Sequence, residues 1–302
     1  MTLDIMMPFY GDVEKFKDAV LSVQRQSDPD WRLVILDDQY PSDEPRVFID
    51  GLSDRRIRYL RNDRNLGISR NFQRSVDLST ADFVTIMGCD DLLLENYVGR
   101  MHKLITAYPD AAYIQPRVGV IDDAGRPTSP LGDRVKEHFR PSAPEPRLLS
   151  GERLATSLLK GNWTYFPSLC WNRETLQSIG FRQEYSIVLD LALQLSVIVD
   201  GGILLLDDEQ TFLYRRHAAS ASSWSGGESN RFREEAALFA ETATRLNDLG
   251  WKKAARAAVL HWTSRLNAVS LLPRAVVSRD AAGAMFLLRY ATQLAGRQAD
   301  QR

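Results

Sequence analysis

Residues 82–91 read DFVTIMGCDD and residues 31–38 read WRLVILDD. Each is a short apolar run that stops abruptly at two aspartates, the pattern of a buried strand whose carboxyl end opens into a polar turn. Around them the first hundred residues alternate in the same way. Leu3 to Met7 reads as a strand stopped by Pro8, and Asp12 to Gln26 as a helix with Val13, Phe16, Val20 and Val23 on one face and Asp12 as its N-cap. A weak helix follows near 43–52, then a strand over Arg56 to Leu60, and the turn Asn65-Leu66-Gly67 opens a helix running to about Leu78. Strands alternating with helices predict an α/β fold, a mostly parallel sheet flanked by helices. In such open sheets ligands bind beyond the carboxyl ends of the strands, where both aspartate pairs fall.

Past residue 115 the pattern changes. Residues 122–150 hold five prolines and many charges and read as a connecting loop or insertion. A helix over about 151–159, the aromatic turn Asn162-Trp163-Thr164-Tyr165-Phe166, a strand over 167–172 and a helix near 173–179 come next. Val188 to Val199 is apolar, of helical length, and interrupted by a single charge, Asp190. Ile203 to Tyr214 reads as one or two strands, and everything beyond Glu228 as helix, a C-terminal helical extension.

Composition narrows the class. The chain has 302 residues, 44% of them hydrophobic and 25% charged, with 38 Lys and Arg against 39 Asp and Glu. A balance this close to neutral argues against a nucleic-acid binder. Cys89 and Cys170 form no C-x-x-C motif, so neither a disulfide framework nor a zinc knuckle is expected. Asp4 and Asp12 stand where a secretory signal needs basic residues, and no apolar run reaches spanning length; both predict a cytoplasmic protein. The charge is uneven: residues 251–302 carry nine Lys and Arg against two Asp and Glu, a local +7 that leaves −8 on residues 1–250.

One aspartate pair is most simply a turn signal and helix cap. Two pairs on one sheet edge repel each other unless a cation or hydrogen-bond donors compensate. Hard divalent cations such as Mg²⁺ and Mn²⁺ are held by one or two carboxylates together with phosphate oxygens, so the pairs point to a metal-bound diphosphate. Gly67 suits a helix start with close backbone approach, and Arg70 and Asn71 in the first turn could meet an anion or a nucleotide. Cys89 reads as a small packed side chain, because no histidine accompanies it.

Pro8-Phe9-Tyr10, Leu36-Asp37-Asp38, Asn65-Leu66-Gly67 with Arg70-Asn71, and Cys89-Asp90-Asp91, in this order and at these spacings, resemble the family 2 inverting glycosyltransferases of GT-A fold. The resemblance is strong over about residues 3–115 and looser over 150–225. It implies a glycosyltransferase domain over 1–225, with a nucleotide-binding half at about 1–115, an acceptor half at about 150–225 and the helical extension at 226–302. Pro8, Tyr10, Asp38, Asn65, Gly67, Arg70 and Asp90 take the donor nucleotide in that frame. Asp90 and Asp91, with His217 of the segment Tyr214-Arg215-Arg216-His217, would hold Mg²⁺ or Mn²⁺, and Arg215 and Arg216 would meet the diphosphate. Gly88 and Cys89 stand where the usual motif carries a further aspartate.

The family also places a catalytic carboxylate where a helix begins beyond the acceptor loop. Asp190 matches the second member of its Glu-Asp pair, with Leu189 in place of the glutamate. Trp163 and Tyr165 precede that helix and are candidate acceptor platforms, since aromatic faces stack on sugar rings. The implied reaction is a single displacement: Asp190 takes the proton of an acceptor hydroxyl as it attacks the anomeric carbon of a UDP- or dTDP-sugar. The resemblance further implies a glycan or lipid-linked acceptor in cell-envelope polysaccharide or glycolipid synthesis. A Rossmann dehydrogenase is disfavoured because the first strand leads into Pro-Phe-Tyr-Gly-Asp with no G-x-G-x-x-G turn. A sugar-nucleotide nucleotidyltransferase would need a glycine-rich basic first loop, which is also missing. A non-catalytic sugar-nucleotide or carbohydrate-binding protein on the same fold stays open, since Gly88 and Leu189 replace acids. The basic helices of 251–302 read first as an extension packed on the sheet domain and second as a peripheral contact with the inner face of an anionic membrane.

Overall fold

The computed structural model describes residues 1–216 and 227–292. In chain order its strands and helices are β1 (Leu3–Phe9), α1 (Val13–Gln24), β2 (Trp31–Asp37), α2 (Glu44–Leu52), β3 (Ile57–Arg61), α3 (Ile68–Leu78), β4 (Phe83–Ile86), β5 (Leu92–Leu93), α4 (Tyr97–Ala107), β6 (Tyr113–Ile121), α5 (Leu131–Phe139), β7 (Arg147–Leu149), α6 (Gly151–Gly161), β8 (Cys170–Asn172), α7 (Arg173–Ile179), α8 (Leu189–Val199), β9 (Leu204–Arg215), α9 (Gly227–Asp248), α10 (Lys252–Leu260), α11 (Trp262–Val277) and α12 (Ala281–Thr292).

The strands form one sheet in the order β3-β2-β1-β4-β8-β6-β9-β5, with β7 paired to β9. β1, β2, β3, β4, β6 and β9 run one way, whereas β5, β7 and β8 oppose them. The alternation along each central strand explains its depth in the molecule. Met6, Val34, Leu36, Val84 and Ile86 face the core shared with α6 and α8. Ile5, Met7, Leu33 and Ile35 face the core shared with α1 and α4.

Local chemistry sets the boundaries. Asp12 caps α1, its carboxylate accepting from the backbone N–H groups of Glu14 and Lys15 at 3.0 and 3.1 Å. Strand β1 runs through Pro8 to Phe9 instead of stopping before it. Pairing with β4 ends at Met6, so the missing proline N–H falls where that neighbour has already left. At the opposite end of β1, buried Asp4 accepts from Arg32 Nε and Nη2 at 2.9 and 2.6 Å and from the N–H groups of Thr80 and Ala81 at 2.7 and 2.9 Å.

Two sequence expectations change. The stretch 122–150 is not a plain loop: it carries α5 and β7 between its prolines. The strand expected over 167–172 begins instead as a 3-10 turn, Phe166–Ser168, because Pro167 fixes the backbone there, and only Cys170–Asn172 pair. At the C-terminus α10 docks through Ala254, Ala255, Ala257 and Ala258 into the main core, and the Lys253 N–H reaches Glu152 of α6 at 2.6 Å. No helix among the described residues is long and apolar enough to cross a membrane.

Candidate active site

The site lies beyond the carboxyl ends of β1, β2, β4, β6 and β9, which the sheet brings to one edge. Parallel register sets Phe9 beside Asp37, the Asp38 N–H bonds the Phe9 carbonyl at 2.9 Å, and the Met87 N–H bonds the Met6 carbonyl at 2.8 Å. Both aspartate pairs therefore leave the sheet side by side. On the far side Ile121 pairs with Arg215, and the Arg216 N–H bonds the Ile121 carbonyl at 2.8 Å.

The first pair is built into the scaffold. Asp37 accepts from the Tyr40 N–H at 2.6 Å and the Tyr59 hydroxyl at 2.7 Å, and lies 3.4 Å from Arg61 Nε. Asp38, 3% exposed, accepts from Asn62 Nδ2 at 2.7 Å and from the N–H groups of Leu66 and Gly67 at 2.7 and 2.9 Å. Its carboxylate shapes the turn that starts α3, where Gly67 takes φ +78°. Asn65, Gly67 and Arg70 are exposed around that turn, Pro8 is half-buried at the end of β1, and Tyr10 beyond it is exposed, edge-on to Tyr40 at 5.9 Å.

In the second pair one carboxylate is only half satisfied among the described residues. Asp91 is buried, and one of its oxygens accepts the Arg215 N–H at 2.9 Å. Among the described residues the other oxygen, Oδ2, has no hydrogen-bond partner. Burial pushes the Asp91 carboxyl well above the usual carboxylate range, and the neighbouring Asp90 charge pushes it further. Gly88 leaves the space this carboxylate occupies, for a Cβ there would stand 2.5 Å from Asp91 Oδ2 and 3.0 Å from Asp90 Oδ1. An orphaned carboxylate oxygen over a side-chain-free cradle fits a divalent cation held by few carboxylates plus phosphate oxygens. Among the described residues no three His, Cys, Asp or Glu side chains cluster as a metal site, and His217 lies outside those residues. Burial also raises the Cys89 thiol, in keeping with a packed rather than nucleophilic side chain.

Arg215 departs from its expected place on the diphosphate. Its guanidinium is buried, with Nε on the Asp90 carbonyl at 2.8 Å and Nη1 3.4 and 3.2 Å from the carbonyls of Asp122 and Asp123, so it braces the acidic turn from behind. Arg216 is more open. It pairs with Asp133 through Nε and Nη2 at 3.0 and 2.9 Å and sits over the Tyr214 ring at 4.9 Å from its centroid.

Asp190 occupies the first turn of α8, half-buried, with its carboxylate accepting its neighbour's N–H, from Leu191, at 2.7 Å. Burial raises its pKa above the ordinary aspartate value; the Lys136 charge and a hydrogen bond from Asn162 oppose that rise. Asn162 ends α6 in the left-handed region at φ 36°, a conformation asparagine tolerates. Lys136 Nζ bonds the Thr164 carbonyl at 2.5 Å and stands 4.5 Å from the centroid of the Tyr165 ring; burial lowers it to about 8. Tyr165 in turn gives its hydroxyl to Asp133 at 2.9 Å and packs on Tyr214 at 5.2 Å. Arg216 and the Tyr165 hydroxyl share Asp133, and Lys136 stands over the Tyr165 ring, so a chain of contacts runs from the end of β9 to the lysine whose charge acts on Asp190.

Trp163 does not join them. It is 1% exposed and its indole N–H bonds Ser157 at 3.0 Å, so it is a core side chain and not an open acceptor platform. Sequence reasoning also missed Asp133 and Lys136, three residues apart on α5 within a stretch dismissed as a loop. The helical spacing of LGDRVKEHF, bracketed by prolines, was the available signal.

A family model described as glycosyl transferase family 2 matches residues 4–166. An uncharacterized glycosyltransferase, MJ1057 of Methanocaldococcus jannaschii, is 24% identical over 185 residues, covering 60% of this chain and 59% of that protein. The chain thus spans about three fifths of the length of this curated relative. Among solved structures, S. aureus TarS residues 1–349 in complex with UDP-GlcNAc superposes with a TM-score of 0.66 at 14% identity, covering 88% of this chain and 73% of that one. The same TarS fragment in complex with UDP gives 0.64 at 16% identity, over 90% and 75% of the two chains. These superpositions show a shared fold.

Proposed function

The chain belongs to glycosyl transferase family 2, and on that premise we propose that it moves a sugar from a nucleoside-diphosphate donor to an acceptor hydroxyl with inversion at the anomeric carbon. The observation that carries the reading is the pairing of Asp91, one oxygen unsatisfied among the described residues, with Asp190, a carboxylate of raised pKa across the same site. A diphosphate needs positive charge where the first stands, and an attacking hydroxyl needs a base where the second stands.

In this account Tyr10 offers an exposed ring to the nucleobase at the end of β1. Asp38 acts by holding Asn62, Leu66 and Gly67 in place, so that Asn65 and Arg70 flank the donor. Asp90 and Asp91 would hold Mg²⁺ or Mn²⁺; the bound cation would supply positive charge against the departing diphosphate. Arg216, held by Asp133, adds to that field from the opposite wall. Asp190 takes the proton of the acceptor hydroxyl, and Lys136 keeps Asp190 ionised. Residues 1–115 then serve the donor, 150–225 the acceptor, and 226–302 the helical extension.

A uridine donor is favoured by the complexes of the TarS fragment with UDP-GlcNAc and UDP. A glycan or lipid-linked acceptor of the cell envelope fits the exposed Trp262, Leu266 and Val269 on α11 together with the exposed Lys252, Lys253 and Arg256 of α10. Such a surface suits peripheral contact with an anionic membrane from the cytoplasmic side. Thermal-shift screening of UDP- and dTDP-sugars with Mg²⁺ or Mn²⁺, followed by an assay for released nucleoside diphosphate, tests the proposal. A donor that raises the melting temperature and is turned over supports it, and a donor that binds without release favours a sugar-nucleotide-binding protein instead.

A further inference from the structure

The helix that carries Asp190 has no side-chain cap of its own. Val188 stands at its N-cap and brings no side-chain oxygen to the helix start. The turn just before the helix is held from far along the chain. Glu234, on α9, takes the N–H of Ser186 at 3.0 Å, the N–H of Ile187 at 2.8 Å and the Ser186 hydroxyl at 2.7 Å, with the Val188 N–H farther away at 3.4 Å. One carboxylate thus gathers the polar groups of the turn that leads into α8.

The same turn is gripped from the donor side. Ser69, in the first turn of α3 and next to Arg70, gives its hydroxyl to the Tyr185 carbonyl at 2.6 Å. A second tie to α9 lies just before it, where Arg182 meets Glu241 through two bonds of 2.7 and 2.8 Å. Asp190 follows Val188 by two residues, so a shift of this turn moves the carboxylate directly. Proton transfer tolerates little such movement, since a displacement of about 1 Å can cost about 10²-fold in rate.

We propose that Glu234 is a positioning residue for the transfer reaction: by fixing the Ser186–Val188 turn it sets the reach of the Asp190 carboxylate, which makes α9 part of the transfer site. The inference rests on the reading of Asp190 as the base. A hydrogen-bonding role and a purely structural one differ in what they predict. The hydrogen-bonding role needs an acceptor oxygen for the Ser186 and Ile187 N–H groups, which glutamine keeps in its side-chain carbonyl, its amide N–H turning to the Ser186 hydroxyl oxygen, and which alanine lacks.

The test compares Glu234→Ala, Glu234→Gln and Asp190→Asn with the wild-type full chain. It measures turnover of UDP-GlcNAc with Mn²⁺, or of whichever UDP- or dTDP-sugar the wild type processes fastest, alongside donor affinity and melting temperature. The expected result is a loss in kcat of about tenfold or more for Glu234→Ala, with donor affinity within about twofold of wild type, and recovery of most of that loss in Glu234→Gln. Glu234→Ala turning over within about twofold of wild type while Asp190→Asn is inactive overturns the positioning role alone. Loss of donor affinity and melting temperature along with kcat, equal in the alanine and glutamine variants, also overturns it in favour of a structural contact. An active Asp190→Asn removes the base, and the inference with it.

Discussion

The backbone N–H of Arg215 meets one oxygen of Asp91 at 2.9 Å, and among the described residues the other oxygen has no partner. A strand end thus holds half of a buried carboxylate and leaves the remainder packed against Gly88 without a hydrogen bond. Burial and the Asp90 charge raise this carboxyl, so without a cation the site takes up a proton more readily than an ordinary aspartate. Asp91→Asn keeps the shape and removes the charge. It is expected to lower metal-supported turnover by about 10²–10³-fold and to abolish the extra thermal stabilisation that Mn²⁺ adds to donor binding. Turnover with unchanged metal dependence would separate Asp91 from the cation.

Gly88 offers a steric version of the same test. A methyl group there would stand 2.5 Å from Asp91 Oδ2, so that carboxylate must move. Gly88→Ala should weaken donor binding in the presence of Mn²⁺ more than in its absence, as read by calorimetric titration. An equal loss under both conditions would assign the glycine to packing.

Lys136 links electrostatics to pH. Asp190 must be ionised to act as a base, so activity rises with pH through its raised pKa. Removing the lysine charge in Lys136→Met lets that pKa climb further, and the acidic limb of the kcat profile should move to higher pH. On the alkaline side Lys136 itself, lowered to about 8, gives up its proton and the positive charge it brings to the site, so activity that uses this charge should fall there. Lys136→Arg stays charged and should keep its activity above that pH. Superimposable profiles for all three proteins would disconnect Lys136 from the base.

Trp163 separates packing from recognition. Its indole is buried against Ser157, so Trp163→Phe loses one hydrogen bond and some contact area. Denaturant unfolding should show a loss of about 1–2 kcal/mol, with KM for donor and acceptor unchanged. A raised acceptor KM at unaltered stability would restore the platform role.

The sheet and its edge were legible because strands β2 and β4 each write their own ending: buried apolar residues, then two acids. Parallel pairing does the rest, since it must bring Asp37, Asp38, Asp90 and Asp91 to one side. The opposite wall was less legible because its residues come together only through tertiary contacts. Lys136 acts on Asp190 through its charge from a helix between prolines, and Glu234 bonds Ser186 from 48 residues away. Arg215 and Trp163 were misplaced for a related reason. Residue type says that an arginine can meet phosphate and a tryptophan a sugar, but burial decides whether either faces outward.

Everything proposed for the transfer turns on Asp190 as its base. Asp190→Asn, assayed for release of nucleoside diphosphate from the preferred sugar nucleotide and titrated with the same donor, tests it most directly. Donor affinity is expected within about twofold of wild type, with turnover reduced by about 10²–10⁴-fold. Turnover within a few-fold of wild type would contradict it.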